Sequence, residues 1–483
     1  MAVEKLPFGT SLTGLLVDGV EETPYAGCTL RMVEPSGPLI EVPYIHYDDT
    51  KQFEPVQNWF STRTPPPNMN LLTDEGTVSL FDIQWSGHAV KSGHNVSLGK
   101  LRPTEIVLSS RQADLASALL VAEMRSHIDG LKEWTRFTAI KHESETNEKG
   151  LVRKLVVEVE SLTEMAWRQG EATMTLQTDW KSANPEGHDV GSFNIFEWVV
   201  LDSKFEEPRL FFEHLVEQRK IVHLLILIFG KGIRFRKHQV RDQAFAVKRG
   251  DGHGPHLPFV ELISRRTVHE YAEKPPTRED LREPLFYLRE MGTAGMQVWA
   301  EEYEKWKRFI LPATAILGRS GVFVEDLVVS LSMALESAGS ILGHCDGEEE
   351  TYRGKVRTTS TYVYRCLQTL DLDWGDRVES TVGLARATAN TYNGTKHFND
   401  GVMPDNDQIF VISEVLRKVA RLMTLHILNP SGELLKRSRE EGSLWRIHDM
   451  LVENELRITH EGKWEHIPKP EQAKLPEGIS FGL

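Results

Sequence analysis

A polar stripe on one predicted helix carries the residues of this chain that are best suited to chemistry. Residues 387–400 read ATANTYNGTKHFND, and Arg386 stands immediately before them. Arg386, Asn390, Asn393 and His397 are spaced by four, three and four positions. At about 100° per residue, these positions fall within an arc of roughly 60° on one helical face. The spacing therefore predicts a helix that presents an arginine, two amides and a histidine side by side.

The same stripe can also be interpreted as the solvated face of an ordinary amphipathic helix. An apolar stripe lies beside it, as such a helix requires, and consists of Val382, Ala385, Ala389 and Tyr392. Asparagine and Gly394 are poor helix formers, however, and a merely solvated face is more often built from Glu, Lys and Gln. The residue types therefore favour a functional site.

Length and composition indicate a folded protein of more than one domain. The chain has 483 residues, of which 40% are hydrophobic and 26% are charged, which is too apolar for wholesale disorder. Its net charge of -14 argues against binding of nucleic acid over a broad positively charged surface. A local basic cleft is still compatible with that charge.

Cysteine usage and the apolar runs predict a protein of the reducing cytoplasm without a membrane span. Cys28, Cys345 and Cys366 are far apart and form no CxxC pair for zinc or redox chemistry. The start MAVEKLPFGT does not have the pattern of a secretory signal. The longest apolar run, VHLLILIFG at residues 222–230, is shorter than the roughly 20 residues of a membrane span and predicts a buried helix.

The first 200 residues or so predict mainly β-strands. Short segments rich in Val, Ile, Thr and aromatic residues are separated by clusters of Gly, Pro, Asn and Asp. This pattern is typical of a sandwich or a barrel. One helix is expected within residues 112–136, because Met124, Ile128, Leu131 and Trp134 recur at helical spacing.

A basic strand is predicted to follow an apolar helix in the middle of the chain. Residues 210–230 predict the helix, which would end at Gly230, and GIRFRKHQVRD at residues 232–242 predicts the strand. We interpret the charge of this strand as that of a sheet edge, where cations prevent aggregation. A patch that faces phosphate is the alternative.

The remaining sequence predicts a linker and a helical bundle. Residues 250–284 are rich in Gly, Pro, His and charge and are interpreted as a loop-bearing linker. Asp251, His253 and His256 suggest a metal site, which we reject because no regular element fixes their geometry. Beyond about residue 291, four long amphipathic helices predict an antiparallel bundle. The expected fold class is α+β, with a β-rich, sandwich-like N-terminal domain and an all-α C-terminal domain.

Common catalytic signatures are missing from the sequence. It contains no GxxxxGK[ST] phosphate loop, no GxGxxG after a strand, no GxSxG elbow and no HExxH pair. No motif therefore supports an ATPase, a dehydrogenase, a hydrolase or a zincin. Carboxylate pairs are abundant, as in any acidic protein, and do not single out a site.

The polar stripe, followed at once by FNDG, resembles the site of the HEPN superfamily. Helical bundles of that superfamily carry an arginine, usually followed by a polar residue, and a histidine four to six residues further on. The N-terminal strands, HIDGLKEWTRF, EHLVEQRKIVHLLILI and MALESAGSIL together resemble the ApeA-type proteins of bacterial antiphage defence. The resemblance implies an ApeA-like N-terminal domain at residues 8–290 and an HEPN helical bundle at residues 291–483.

The resemblance assigns roles to individual residues of the stripe. It places His397 at the family histidine and Asn393 at the polar position, and it puts Tyr392 where the arginine usually stands. Arg386 lies on the same face and is the better candidate for a displaced arginine. Lys396 could also contribute positive charge.

Other residues are assigned supporting roles or none. Asn390 and Tyr392 belong to the supporting set, and Glu336 in MALESAG could orient the basic residues or be an ordinary structural carboxylate. A strict Arg-x4-His pair occurs at Arg421 and His426. It lies in the apolar fourth helix with its members about 140° apart, and we treat it as coincidental.

The resemblance implies RNA cleavage without a metal or cofactor, by attack of the ribose 2′-OH on the adjacent phosphorus. His397 would move the proton, an arginine would stabilise the phosphorane, and Asn393 would hold the histidine or a phosphate oxygen. HEPN domains generally pair, so a homodimer with a composite cleft is expected. RNA, tRNA included, would be the substrate, and the N-terminal domain would sense a phage-derived trigger.

Two other classes of function stay open at this point. An HEPN bundle without the usual arginine could bind a nucleotide, RNA or a protein partner without cutting it. Alternatively, the protein could be a β-sandwich enzyme or carbohydrate-binding protein with a helical dimerisation domain. The position of the arginine discriminates the first alternative from a nuclease, and aromatic residues exposed on one sheet face would favour the second.

Overall fold

The computed structural model describes residues 5–45, 51–89, 95–111, 114–115, 117–183, 194–247, 255–397, 404–429, 432–440 and 444–469. It divides into two compact units. The first comprises Met1–Val222, Ile233–Arg282 and Tyr287–Arg289, and the second comprises His223–Gly232, Glu283–Phe286 and Glu290–Leu483.

The first unit is rich in strands. They are β1 (Ser11–Val17), β2 (Ala26–Val33), β3 (Gly37–Ile45), β4 (Met69–Leu72), β5 (Thr77–Ala89), β6 (Val96–Val107), β7 (Leu120–Ile128), β8 (Ile140–Thr146), β9 (Val152–Val159), β10 (Thr163–Gln169), β11 (Ala172–Ala183), β12 (Asn194–Leu210), β13 (Phe235–Arg241) and β14 (Val260–Ser264). Its helices are α1 (Glu54–Ser61), α2 (Leu131–Thr135), the start of α3 (Phe211–Phe229) and α4 (Val268–Ala272).

Most of these strands form one sheet that closes on itself at one end. Its order is β10-β11-β12-β7-β13-β14-β6-β3-β2-β1-β4-β5, and β5 also pairs with β6. The register of that last pair runs from Ser79 opposite Val107 to Ala89 opposite Leu98. The first six strands therefore form a barrel, where a sandwich-like arrangement was also expected. Leu30, Ile40 and Leu101 lie in its core without exposed surface.

The helix expected within residues 112–136 is largely wrong. Met124 and Ile128 lie in strand β7, which pairs with β12 on one side and β13 on the other. Only the short α2, with buried Leu131 and Trp134, is helical. Consecutive residues of β7, from Met124 to Ser126, are buried, so both faces of the strand are covered and its apolar spacing does not show simple alternation.

The loop interpretation of residues 250–284 is also wrong for part of that segment. Strand β14 pairs with β13 and with β6, and α4 follows it. The segment therefore contributes a strand to the interior of the main sheet. Asp251 and His253 lie outside the described residues, and His256 pairs with Val247 in an isolated β-bridge.

The basic strand β13 is not a sheet edge, because it lies between β7 and β14. The cations of this strand, and Arg234 just before it, meet carboxylates instead. The ion pairs are 2.6 to 3.2 Å long and join Arg234 to Glu273, Arg236 to Asp129, Lys237 to Glu261, and Arg241 to Glu123. The carboxylates come from distant parts of the chain. Positive charge on β13 is therefore balanced within the unit, which removes the argument for a phosphate-facing patch.

The second unit is mainly helical. Its elements are α5 (Leu288–Leu317), α6 (Val324–Leu342), α7 (Thr359–Leu370), α8 (Thr381–Lys396), α9 (Asn406–Leu428), α10 (Glu433–Glu440), α11 (Trp445–Glu453), β15 (Leu456–Ile458) and β16 (Trp464–His466). The four long helices predicted from the sequence are confirmed as α5, α6, α8 and α9. Helix α7 was not predicted, and it packs together with α6, α8 and α9.

Helix α7 carries a buried ion pair that fixes it to the preceding turn. The Arg365 Nε atom donates to Glu348 Oε2 at 2.6 Å, and Nη2 donates to Oε1 at 2.8 Å. Arg365 also donates to the carbonyl oxygen of Gly339 in α6 at 3.0 Å. The hydrogen bonds from Arg365 hold the pKa of the Glu348 carboxyl well below its usual range. This pair therefore links three segments of the helical unit through one guanidinium.

Two further observations concern membrane-spanning helices and metal-binding side chains. Among the residues it describes, no helix combines the length and apolar character needed to cross a membrane. Within the same residues, no three His, Cys, Asp or Glu side chains are grouped so that they could hold a metal ion.

Candidate functional site

Helix α8 carries the predicted polar stripe, and its boundaries follow from local capping. The Ser380 side chain accepts a hydrogen bond from the Gly383 amide at 3.0 Å and begins the helix. Lys396 is the last helical residue, and His397 caps the helix with extended angles of φ -113° and ψ 108°. The predicted apolar stripe is buried. His397 therefore lies just beyond the last helical turn, in which it was expected.

The stripe of α8 has two halves with different surroundings. Asn390, Asn393, Lys396 and His397 are exposed, whereas Arg386 is half-buried. Arg386 and His397 are eleven positions apart, which corresponds to roughly 16 Å of helical rise. Within one chain, they therefore do not lie at the same phosphate.

The guanidinium of Arg386 is engaged by the main chain around the start of α8. Its Nη1 donates to the carbonyl oxygen of His460 at 2.9 Å, and its Nη2 donates to the carbonyl oxygen of Glu350. The glycine at 462 allows this approach, because a Cβ there would lie 2.5 Å from the Arg386 Cβ. Arg386 thus joins the loop of the β15–β16 hairpin to the turn before α7.

A hydrogen-bonded chain of side chains lies beside Arg386. The Ser380 Oγ and the His460 Nδ1 are 2.8 Å apart, and the His460 Nε2 lies 3.1 Å from Glu350 Oε2. Asn390 reaches the same hairpin through a long contact of 3.4 Å with the Gly462 carbonyl oxygen. The N-terminal half of α8 is therefore covered by structural contacts.

Lys396 is held in place at the other end of α8. Its Nζ donates to the Tyr392 hydroxyl at 2.8 Å and lies 5.1 Å from the centroid of the same ring. The hydrogen bond to Tyr392 raises the pKa of the Lys396 ammonium, and the charge of Glu336 acts in the same direction. Tyr392 is buried, so it provides a fixed support for a cation that is itself exposed.

Glu336 connects α6 to this end of α8. The half-buried carboxylate accepts a hydrogen bond from the Thr359 hydroxyl at the start of α7. It is also close enough to Lys396 to influence the pKa of that side chain. Glu336 therefore makes the hydrogen bond of a structural carboxylate, and its orienting role toward the basic residues stays a prediction.

Asn393 and His397 complete the exposed end of α8. The His397 amide donates to the Asn393 carbonyl oxygen at 2.8 Å, which closes the last turn. A Cβ at Gly394 would lie 2.9 Å from the Pro404 side chain, so this glycine allows the chain before α9 to pack on the helix. Close packing therefore explains one poor helix former in the stripe. Asn399 and Gly401 of the FNDG sequence lie outside the described residues.

The Arg-x4-His pair of α9 has structural contacts. The Arg421 guanidinium donates to the carbonyl oxygens of Leu227 at 3.2 Å and Ile228 at 2.6 Å, near the end of α3. Burial lowers the pKa of Arg421 to about 10. His426 stacks edge to face with Trp306, with ring centroids 6.2 Å apart. These contacts agree with the interpretation of the spacing as coincidental.

Sequence reasoning missed the residues that organise the start of α8. His460, Glu350 and Ser380 are far apart in the chain, and none belongs to a recognisable motif. The one local signal was the capping box of α7, in which Thr358 and Thr361 bond reciprocally. In the structure, the turn containing Glu350 contacts both α7 and α8.

Comparison with known proteins gives no relative from which a role could be transferred. The chain matches no protein-family model, no curated protein and no solved structure.

Proposed function

We propose that this protein is a metal-independent ribonuclease of the HEPN type whose site is the C-terminal end of α8. The observation that carries this proposal is the exposure of Lys396 and His397 at consecutive positions, beside Asn393. Tyr392 fixes the ammonium of Lys396 at this point. A cation and an imidazole within one site are the groups that phosphodiester cleavage by an internal nucleophile needs.

The proposed reaction uses these side chains in distinct roles. His397 takes the proton of a ribose 2′-OH, whose oxygen then forms a bond to the adjacent phosphorus. The bond from phosphorus to the 5′-oxygen breaks, leaving a 2′,3′-cyclic phosphate and a 5′-hydroxyl. Lys396 stabilises the charge of the phosphorane, and the amide of Asn393 donates to a phosphate oxygen. In a homodimer, the imidazolium of the second copy supplies the proton to the leaving oxygen.

The wider role follows from the resemblance of the sequence to ApeA-type proteins. In this proposal, the enzyme acts on RNA, tRNA included, in the bacterial cytoplasm as an effector of abortive infection. The N-terminal unit restrains it until a phage-derived trigger is present. The net charge of -14 then confines RNA binding to the local cations at the end of α8.

One observation favours a second function, that of a binding module without catalysis. The arginine closest to the expected position, Arg386, donates to two main-chain carbonyls and is about 16 Å of helical rise away from His397. If Lys396 cannot replace an arginine, the same end of α8 would bind a nucleotide, RNA or a protein partner without cutting it.

The experiment compares RNA cleavage by the purified full-length protein in EDTA and in cells under phage challenge. The variants are His397→Ala and Lys396→Ala, with His466→Ala and Lys355→Ala as controls, since these two are exposed residues of the same unit. We expect the first pair to lose cleavage and the control pair to retain it, with dimerisation unchanged. Retention of RNA binding by a wild-type protein that cleaves in neither setting would favour the binding module.

A further inference from the structure

A two-stranded ribbon, formed by β8 and β9, is separate from the main sheet of the first unit. Among the residues that the structure describes, these two strands pair only with each other. Every residue from 141 to 158 is exposed to solvent. Two strands alone are marginally stable in water, whereas three or more strands with an apolar face form a stable sheet. The β8–β9 ribbon therefore has the features of an incomplete sheet.

The two faces of the β8–β9 ribbon differ in chemistry. Directly opposite residues share a face, so Leu155, Val157 and Val159 of β9 lie on the same face as Ile140 of β8. Leu155 is 59% exposed and Val157 is 42% exposed. The other face is mostly charged and consists of Lys141, Glu143, Glu145, Lys154, Val156 and Glu158. A strand that adds to the ribbon must continue both faces, which restricts the registers in which it can pair.

Strand β9 has an open edge on the side away from β8. Within the described part of the chain, no other strand pairs with it. Its sequence runs from a basic half, with Arg153 and Lys154, to an acidic half, with Glu158 and then Glu160 just after the strand. An antiparallel neighbour of the same sequence would place each basic half opposite an acidic half. The order of charges along β9 is therefore complementary to itself.

One register satisfies both the faces and the charges. A two-fold axis at Val156 sets Lys154 of each copy opposite Glu158 of the other, and Leu155 opposite Val157. Val156 then lies opposite its own counterpart, where no charge is repelled. The open edge of β8 offers no such match, because an axis at its middle residue would set Glu143 opposite itself. The edge of β9 is therefore the one that suits a second copy of this chain.

We propose that two copies of this chain pair through β9 and join their ribbons into one antiparallel sheet of four strands. The main-chain groups along the edge of β9 form hydrogen bonds across the axis. Two pairs of Lys154 with Glu158, one on each side of the axis, fix the register, and the contact is the same surface on both copies. The proposal does not depend on the ribonuclease or on pairing of the helical unit, because it concerns the first unit and is tested at the ribbon itself.

Disulfide cross-linking of Val156→Cys in the full-length protein tests the position of the axis. Opposite Cα atoms of an antiparallel pair are about 4.5–5.5 Å apart, within the roughly 4.4–6.8 Å that a disulfide spans. We therefore expect mild oxidation to give a linked dimer. Glu143→Cys is the matched control, because Glu143 lies opposite Val156 in the ribbon and would be about 14 Å, or three strand spacings, from its counterpart. Both variants carry Cys345→Ser, since Cys345 is the native cysteine that is not buried.

Charge reversals in the Val156→Cys protein test the register. Lys154→Glu or Glu158→Lys alone should slow cross-linking about ten-fold, because like charges then lie opposite each other on both sides of the axis. Combining both changes in one chain, or mixing the two single variants, should restore the rate, because opposite charges meet again. Within one ribbon, Lys154 pairs with Glu145 at 3.0 Å, and the combined change does not restore that contact. Recovery of the rate therefore reports pairing between two copies.

Two controls keep the result specific to the ribbon. Circular dichroism checks that each variant is folded, and each cross-linking rate is divided by the rate at which the same thiol reacts with N-ethylmaleimide. Absence of a linked dimer of Val156→Cys would leave the edge of β9 to a strand of a different protein and would overturn the proposal. Equal cross-linking of Glu143→Cys, or a combined charge reversal that stays as slow as the single ones, would overturn it as well.

Discussion

The guanidinium of Arg386 donates a hydrogen bond to the carbonyl oxygen of His460, at 2.9 Å. A second hydrogen bond joins it to the carbonyl oxygen of Glu350. An arginine whose donors are satisfied by main-chain carbonyls stabilises the segments that it connects. The geometry therefore gives Arg386 a structural role. The candidate catalytic residues of α8 are Lys396 and His397, near the other end of the helix.

Loss of the Arg386 side chain should therefore lower stability more than it lowers catalysis. We expect Arg386→Ala to reduce the free energy of unfolding by roughly 2–3 kcal/mol, because two hydrogen bonds from a charged donor are lost. Urea denaturation followed by circular dichroism measures this, with Asn390→Ala as the control. A stable Arg386→Ala protein without RNA cleavage would instead assign the arginine to catalysis.

The charge of Lys396 should matter more than its length. Lys396→Arg keeps a cation at the site and should retain most cleavage, whereas Lys396→Gln should lower kcat by roughly 100-fold, as expected for the loss of a group that stabilises the transition state. Steady-state cleavage of a short single-stranded RNA distinguishes the two variants. Equal activity of Lys396→Gln and the wild type would exclude Lys396 from the reaction.

A composite site predicts that a dimer with a single intact His397 is inactive, because one imidazole accepts the 2′-OH proton and the other donates to the leaving oxygen. When wild-type and His397→Ala subunits are co-refolded in equal amounts, about half of the dimers are mixed and about a quarter are wild-type dimers. The mixture should therefore retain roughly a quarter of the wild-type rate. A rate of roughly one half would show that each subunit cleaves on its own.

The buried pair of Glu348 and Arg365 should make the helical unit sensitive to acid. Because the pKa of Glu348 is lowered in the folded protein, the stabilisation is complete above the unfolded-state pKa of about 4.3 and is lost as pH falls further. At pH 7, Glu348→Gln should cost roughly 3–5 kcal/mol by leaving Arg365 buried and unpaired.

The difference between Glu348→Gln and wild type should then shrink as the pH is lowered from 5 to 3. Urea midpoints measured over this range give the difference at each pH. Glu349→Gln is the matched control, because the neighbouring carboxylate is exposed and pairs with His344 on the surface. A constant difference between pH 7 and pH 3 would contradict the role given to the ion pair.

Four helices of the second unit could be predicted because the spacing of their apolar residues is visible within each segment. Helices α5, α6, α8 and α9 are long and amphipathic, and their apolar stripes are visible in the sequence. Helix α7 is shorter and contains the buried Arg365, whose partner Glu348 lies outside the helix. A charged residue in the buried face interrupts the hydrophobic spacing from which a helix is predicted.

The first unit was harder because its sheet joins distant segments. The cations of β13 were interpreted as those of a sheet edge because no partner is visible nearby in the sequence. Asp129 and Glu123, which neutralise two of them, lie more than 100 residues earlier. The same limit applies to the site. The spacing predicted Arg386 and His397 on one face of a single helix, whereas His397 caps α8 with extended angles. Only the fold shows that His460 and Glu350 engage the arginine.

Because β14 lies between β6 and β13, the main sheet cannot be completed until β14 has been synthesised. The strands of the barrel are complete once residue 107 has been made, whereas β14 ends at residue 264. At roughly 5–20 residues per second, a ribosome needs about 8–30 s to cover that interval. During this time, the part of β6 that will pair with β14 has an open hydrogen-bonding edge. The nascent chain therefore contains all the strands of the barrel well before β14, the strand that joins the barrel to the rest of the sheet, has been made.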